Sequence, residues 1–387
     1  MKLRTSGLAL LLLVVAGAAC TDNDGGDGDE GAGRLTVEST EDVCDVSATE
    51  APSGNLVFSV SNKGSQVTEF YLLGEDGLRI LGEVENIGPG LTRELVVQAG
   101  PGSYFTACKP GMVGDGIRGS FTVTDSGADL TPTGETADLL ATATTQYAAY
   151  VRDQTEQLLT KTQEFAGLYT GNDDEAARAL YADARTHWER IEPVAESFGD
   201  LDPRLDLREA DLEAGQEWTG WHRIEKDLWP PADDPSYVAA TAAERTTLAD
   251  LLVADTQELY DRTRELTYQP DQLGNGAKEL LDEVATGKVT GEEEFWSHTD
   301  LWDFQANVDG ARIAFEDLRP VLLVKGPDLA ETLDQRFTEL QGLLDQHRAG
   351  EGFVLYTDLD EAQVRELADA VNALGEPLSE LTAAVIL

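Results

Sequence analysis

Two residues one helical turn apart carry the sharpest chemical signal in this chain: His222 and Glu225, in the run Glu217-Trp218-Thr219-Gly220-Trp221-His222-Arg223-Ile224-Glu225-Lys226-Asp227-Leu228-Trp229. On a helix such a pair projects from one face, so an imidazole nitrogen and a carboxylate oxygen can reach the same ion. Trp218 and Trp229 flank that stripe at helical spacing. They are expected to wall a partly dry pocket, in which a carboxylate attracts a cation more strongly than in water. The spacing alone decides little. With four histidines and 73 acidic residues in the chain, a His-x-x-acid coincidence arises about 0.75 times by chance. The competing reading is a His–Glu hydrogen bond within the helix, with the tryptophans as core.

A second cluster runs from Gly291 to Gly310: Glu292, Glu293 and Glu294, then His298, Asp300, Asp303 and Asp309, interleaved with Phe295, Trp296 and Trp302. Hard ions such as Fe(III) and Mn favour carboxylate oxygens supplemented by imidazole, so this knot is a candidate to complete a site with His222 and Glu225. The structural alternative is Thr299 or Asp300 capping a helix that starts at Leu301, with the glutamates in solvent. The sequence has no His-Glu-x-x-His, Gly-x-Ser-x-Gly or P-loop pattern. A zinc peptidase would therefore lack its two-His helix and adjacent general base, and no enzyme activity is expected.

The elements that must position these residues follow from pattern. Residues 1–19 read as a signal peptide: Lys2 and Arg4 begin it, Leu8 to Val15 form its apolar core, and Gly17-Ala18-Ala19 precede Cys20. That placement makes Cys20 the expected lipidation site. Residues 20–33 form an acidic, Gly-rich tether. Residues 34–125 alternate apolar and polar with turn signals between, as in Leu56-Val57-Phe58-Ser59-Val60 before Asn62-Lys63-Gly64, which predicts a Greek-key β-sandwich of about seven strands. This segment has no histidine, so a blue-copper centre is excluded. Cys44, Asp45, Glu69, Glu83, Glu85 and Cys108 remain as candidate ligands of a second metal site. The plainer reading is a Cys44–Cys108 disulfide with surface acids around it.

Residues 126–136 have linker composition, and from 137 to 387 the period becomes helical. Helices are predicted over 137–169 and 173–198 and near 209–229, 238–267, 274–286, 300–318, 328–348 and 360–385. Breaks are expected at Pro203, Pro230-Pro231, Pro270, Gly291, Pro320, Pro327 and 350–352. About eight helices suit an all-α double bundle, two four-helix layers sharing one core. The formal net charge of −45 repels phosphate backbones, which excludes nucleic acid as a partner.

Three runs together resemble a known family: residues 218–229 above, Tyr181 to Glu196 (Tyr-Ala-Asp-Ala-Arg-Thr-His-Trp-Glu-Arg-Ile-Glu-Pro-Val-Ala-Glu), and Ser297 to Gly310. They look like the imelysin-type domain of the EfeO iron-uptake proteins. The N-terminal part resembles that family's cupredoxin-like domain through Val43-Cys44-Asp45, Thr68-Glu69-Phe70, residues 83–90 and Cys108. The resemblance implies an extracytoplasmic, lipid-anchored or periplasmic protein that binds iron, Fe2+ or Fe3+, with Zn2+ or Cu2+ as other candidates. It implies delivery to an EfeU-type membrane permease beside an EfeB-type haem peroxidase, and membrane contact through the lipid anchor. It places the metal ligands at His222 and Glu225, with Glu192, Asp255, Glu293 and Asp309 as further candidates. Asp45 stands where the family pattern often has Glu, one methylene longer. Two other readings are a polysaccharide-binding lipoprotein that stacks sugars on Trp218, Trp221 and Trp229, and a metallopeptidase built on the same His/Glu stripe.

Overall fold

The computed structural model describes residues 33–127, 134–212, 215–231 and 234–387. The signal peptide, Cys20, nearly all of the tether and the middle of the linker lie outside the described residues. Among the described residues, no helix is long and apolar enough to cross a membrane.

The N-terminal part is built of strands β1 (Arg34–Ser39), β2 (Cys44–Val46), β3 (Glu50–Pro52), β4 (Gly54–Asn62), β5 (Thr68–Leu73), β6 (Ile80–Ile87), β7 (Thr92–Ala99), β8 (Gly102–Cys108) and β9 (Ile117–Thr124). They form two sheets, of order β2-β1-β4-β7 and β3-β9-β8-β5-β6. Neighbours pair antiparallel except β1 with β4 and β3 with β9. Period-2 alternation drives this arrangement: Leu35 and Val37 of β1 turn inward while Arg34, Thr36 and Glu38 stay exposed. Phe58 packs on Phe70 and Phe121 with ring centroids 5.1 and 5.6 Å away, within the range favoured for aromatic pairs. Cys44 of β2 and Cys108 of β8 are joined in a disulfide that ties one sheet to the other.

The helical part comprises α1 (Ala137–Thr170), α2 (Asp174–Glu189), α3 (Glu192–Glu196), α4 (Asp202–Leu205), α5 (Gly220–Leu228), α6 (Ala242–Glu265), α7 (Pro270–Thr286), α8 (Asp300–Lys325), α9 (Pro327–Leu344), α10 (Glu361–Leu378) and α11 (Leu381–Ile386). The stripe Leu140, Tyr147, Val151, Leu158, Phe165 and Tyr169 buries one side of α1. Capping boxes at Thr241–Glu244 and Asp360–Gln363 start α6 and α10 by satisfying backbone N–H groups that a first turn leaves unpaired. Helix α8 lies at the centre, packed on α1 and α2 on one side and on α7 and α9 on the other. Helix α7 also carries the β region: Asn275 Nδ2 donates to the Val96 carbonyl at 2.9 Å, and Asp271 accepts the Gln98 N–H at 2.7 Å.

Several sequence expectations need correction. The β region has nine strands where about seven were expected, and the helix expected over 173–198 is interrupted after Glu189 and resumes as α3. Pro320 does not end α8, which continues to Lys325; the proline is on the exposed face, where the carbonyl it leaves unbonded meets solvent. The helix expected near 209–229 begins only at Gly220. Gly220 has φ of 83°, and a Cβ there would lie 2.2 Å from the Leu205 carbonyl oxygen, so the chain turns sharply past α4 before it can coil. Trp218 therefore precedes α5 instead of riding on it.

Candidate metal centre

His222 sits in the first turns of α5, 1% exposed, and each ring nitrogen faces carboxylate. Nδ1 is 3.3 Å from Glu225 Oε2, the contact that the i,i+3 spacing allows. Nε2 lies 3.4 Å from Asp206 and 3.5 Å from Glu293, and neither contact has hydrogen-bond geometry. Glu225 is fixed from its other oxygen: the backbone N–H groups of Trp296 and Ser297 donate to Oε1 at 3.0 and 2.7 Å. Glu294 follows on the same loop, where Ser297 Oγ donates to it at 3.0 Å. Asp300, in the first turn of α8, accepts the Glu294 N–H at 3.1 Å, so it holds the loop instead of simply capping the helix.

Opposite the imidazole stands Arg185 of α2, fully buried. Its guanidinium pairs with Glu189 and Asp206, reaches Glu294 at 2.5 Å, and lies 3.7 Å from Glu293 and 3.8 Å from Asp303. Lys288 is the second internal cation, 3.1 Å from Glu189 and 2.9 Å from Glu192. Among the described residues, three groups of carboxylate and imidazole atoms within 4.8 Å of one another meet here: Asp206–His222–Glu293, His222–Glu225–Glu294 and Glu189–Glu192–Asp206.

Burial and neighbours set the protonation of this cage. Burial and Arg185 push the imidazole of His222 down, but Asp206, Glu225 and Glu293 outweigh them and hold it well above its ordinary value. Burial, then repulsion from Glu294, raises Glu225 to about 7, and the same two causes take Asp300 to about 7. Glu293 goes the other way: against its burial, Lys288, His222 and Arg208 keep it well below the usual carboxylate range. Neutral imidazole and ionised carboxylates are oxygen- and nitrogen-donor ligands suited to hard and borderline cations, and an ion would take the place of the imidazole proton.

The structure brings His222, Glu225 and Glu293 together and sets Glu192 in the adjoining group. Asp255 and Asp309 lie elsewhere. Asp255 of α6 is bound by Arg204, and Asp309 of α8 by Arg190 at 3.1 Å, so each carboxylate is held by an arginine outside the cage. Glu294 and Asp303 belong to the acidic cluster singled out in the sequence, whereas Asp206, Glu189, Arg185 and Lys288 went unrecognised there. Glu294 adjoins Glu293, and Arg185–Glu189 has i,i+4 spacing, but Asp206 stands in a short irregular stretch with no periodic signal. The expected tryptophan walls also differ. Trp221 is fully buried core, while Trp218 packs on Trp296 with centroids 5.9 Å apart and donates to the Leu207 carbonyl.

In the β region Cys44 and Cys108 are bonded to each other, which removes both thiolates as ligands. Asp45 is exposed on β2. Glu69, Glu83 and Glu85 face a cleft between the β region and the helices, where Tyr71 donates to Glu69.

Comparison with known proteins agrees with this architecture. The imelysin family, peptidase M75, matches residues 143–381. The iron uptake system component EfeO of Yersinia pestis is 36% identical over 351 residues, 90% of this chain and 89% of that protein. The chain is an EfeO-type member of the imelysin family. EfeO of Escherichia coli O157:H7 is 35% identical, covering 90% of each chain. The crystal structure of an iron-regulated protein A precursor from Parabacteroides distasonis superposes with a TM-score of 0.50 at 16% identity, covering 67% of this chain and 97% of that one, a likeness of fold.

Proposed function

We propose that this EfeO-type chain is the extracytoplasmic iron-binding component of an Efe-type uptake system, which captures iron in the helical cage and delivers it to a membrane permease. The single observation that carries the reading is the buried Nε2 of His222, which has no hydrogen-bond partner and stands between Asp206 and Glu293. In this reading His222, Asp206 and Glu293 bind the ion directly. Glu225 orients the ring through Nδ1, as carboxylates beside metal-bound histidines commonly do, and Glu294 lies within reach. The relatives named as iron uptake components support iron as the cargo.

Residues 34–125 are taken as a cupredoxin-like Greek-key domain and 137–387 as the imelysin-like domain. Cys20 is the proposed lipid anchor, placing the chain on the outer face of the cytoplasmic membrane or in the periplasm. EfeU-type and EfeB-type proteins are its proposed partners, and it is proposed to act without catalysis. Glu69, Glu83 and Glu85 are read as cleft wall instead of a second metal centre, since their cysteine neighbours are joined in a disulfide. Sugar stacking on Trp221 is disfavoured by its complete burial.

Isothermal titration of the mature chain with Fe(II) under anaerobic conditions and with Fe(III) citrate tests the reading. His222→Ala combined with Glu225→Ala is expected to weaken iron binding by about 100-fold or more. Unchanged affinity in that variant removes the basis of the proposal.

A further inference from the structure

We propose that the cleft between the β region and the helices is the iron entrance to the cage, and that Arg208 is its latch. This rests on the metal reading above. The cavity, about 670 Å³, takes its walls from both parts of the chain, with seven carboxylate side chains and two cationic ones lining it. Glu85 contributes a buried oxygen, Oε2, that has no hydrogen-bond partner.

The link from cleft to cage is Glu293. One of its oxygens, Oε1, faces His222 Nε2 and Arg185; the other, Oε2, faces Arg208 Nη1 at 3.3 Å. Arg208 itself lines the cleft, 32% exposed, and is held from the other side by Asp211 at 2.8 Å. Gly287 borders the contact: a Cβ there would lie in ordinary van der Waals range, 3.4 Å from Arg208 Nη1 and 3.6 Å from Glu293 Oε2.

Residual exposure tells the same story. Asp206 and Glu293 are 8% and 6% exposed, whereas Arg185, His222, Glu225 and Glu294 are at most 1%. Asp206, two residues from Arg208, and Glu293, its ion-pair partner, are thus the most exposed of the carboxylates around His222. Near Glu225, whose Oε1 accepts the Trp296 N–H, the rings of Trp218 and Trp296 pack on each other, with Lys226 over them at 5.6 and 5.1 Å. A cation drawn in by the carboxylate walls meets Glu293 Oε2 as soon as Arg208 swings toward Asp211, and passes from there to His222. Attraction of this kind raises association rates and fades with salt, whereas a steric and ionic latch limits passage in both directions.

Stopped-flow tryptophan fluorescence with Fe(II) under anaerobic conditions on the full mature chain tests this. Arg208→Gln is expected to speed both association and release by about 3-fold or more, and the acceleration persists in 0.5 M NaCl. Glu83→Gln with Glu292→Gln, both on the cleft wall, is expected to slow association by about 3-fold or more at low salt, with the difference vanishing in 0.5 M NaCl. Association rates unmoved by both sets of substitutions, with normal affinity, overturn the entrance alone. Faster association in Trp218→Ala with none in Arg208→Gln moves the entrance to the aromatic side and equally overturns it. If the unsubstituted chain takes up no iron, the metal reading falls and the entrance with it.

Discussion

The interior of the β region and the interior of the helical region solve opposite problems. Between the two sheets lie Leu35, Val37, Phe58, Phe70, Leu95, Val97 and Phe121, an apolar core pinned by one disulfide. Between the helices, beside an equally apolar core, sit Arg185, Lys288, His222, Glu189, Glu225, Glu294 and Asp303, all buried. Burying charge opposes folding unless each charge is paired, and hydrocarbon of the same volume would commonly stabilise as well or better. The β region is therefore organised by what stability requires. The helical cage is held together by internal cations and keeps a polar interior that stability alone does not explain.

The strongest way to break this contrast is to remove one internal cation. Arg185→Leu leaves several buried carboxylates without their partner and is expected to destabilise the chain by about 3–5 kcal/mol, read by urea unfolding. A loss below about 1 kcal/mol would mean that the carboxylates are already neutral and that the guanidinium does not organise them. The β region should respond instead to its staple. Cys44→Ala with Cys108→Ala is expected to cost about 2–4 kcal/mol by the chain-entropy account, measured in the same way, with iron affinity unchanged. Loss of iron binding in that variant would return the cysteines to the ligand set.

The pH response separates the two interiors next. Glu225 and Asp300 bind their protons more tightly folded than unfolded, with folded values of about 7 against ordinary values of 4.5 and 3.8. His222 is raised as well. For each, the folded state holds more protons, so stability falls as pH rises, across roughly the ordinary carboxylate range to about 7 for the two acids and above about 6.5 for the histidine. Thermal unfolding of the iron-free chain should occur at a lower temperature at pH 8 than at pH 6, and iron affinity should rise over the same interval as protons leave the ligands. A flat response would place these groups in water. The smallest effect expected is from Asp309→Asn, which touches a half-exposed ion pair with Arg190. It should change stability by about 0.5 kcal/mol or less and iron affinity not at all, whereas Glu293→Gln should weaken iron binding.

Local pattern made much of this legible. Period-2 alternation marked β1 and β4, the stripe from Leu140 to Phe165 marked α1, and the i,i+3 pair His222–Glu225 marked the side of the helix that faces the cage. Glu293 lies in the acidic run near aromatic residues that the sequence offered to complete the site. Asp206 could not be singled out, since it belongs to no repeating element, and Asp255 and Asp309 look as suitable in sequence as Glu293 does. Which acid reaches His222 is a matter of what lies across from it in space.

The order and type of most elements and the imidazole–carboxylate pair were written in the chain itself, because helices, strands and turns are read from neighbours a few residues apart. Tertiary structure alone decided the rest: that Arg185 and Lys288 stand inside the carboxylate cage, that Gly220 delays α5 and sends Trp218 to Trp296, and that Glu293 looks toward both His222 and Arg208. Those are contacts between residues from about 70 to more than 100 positions apart in most cases, fixed by how the helices pack around α8, and no local periodicity encodes them.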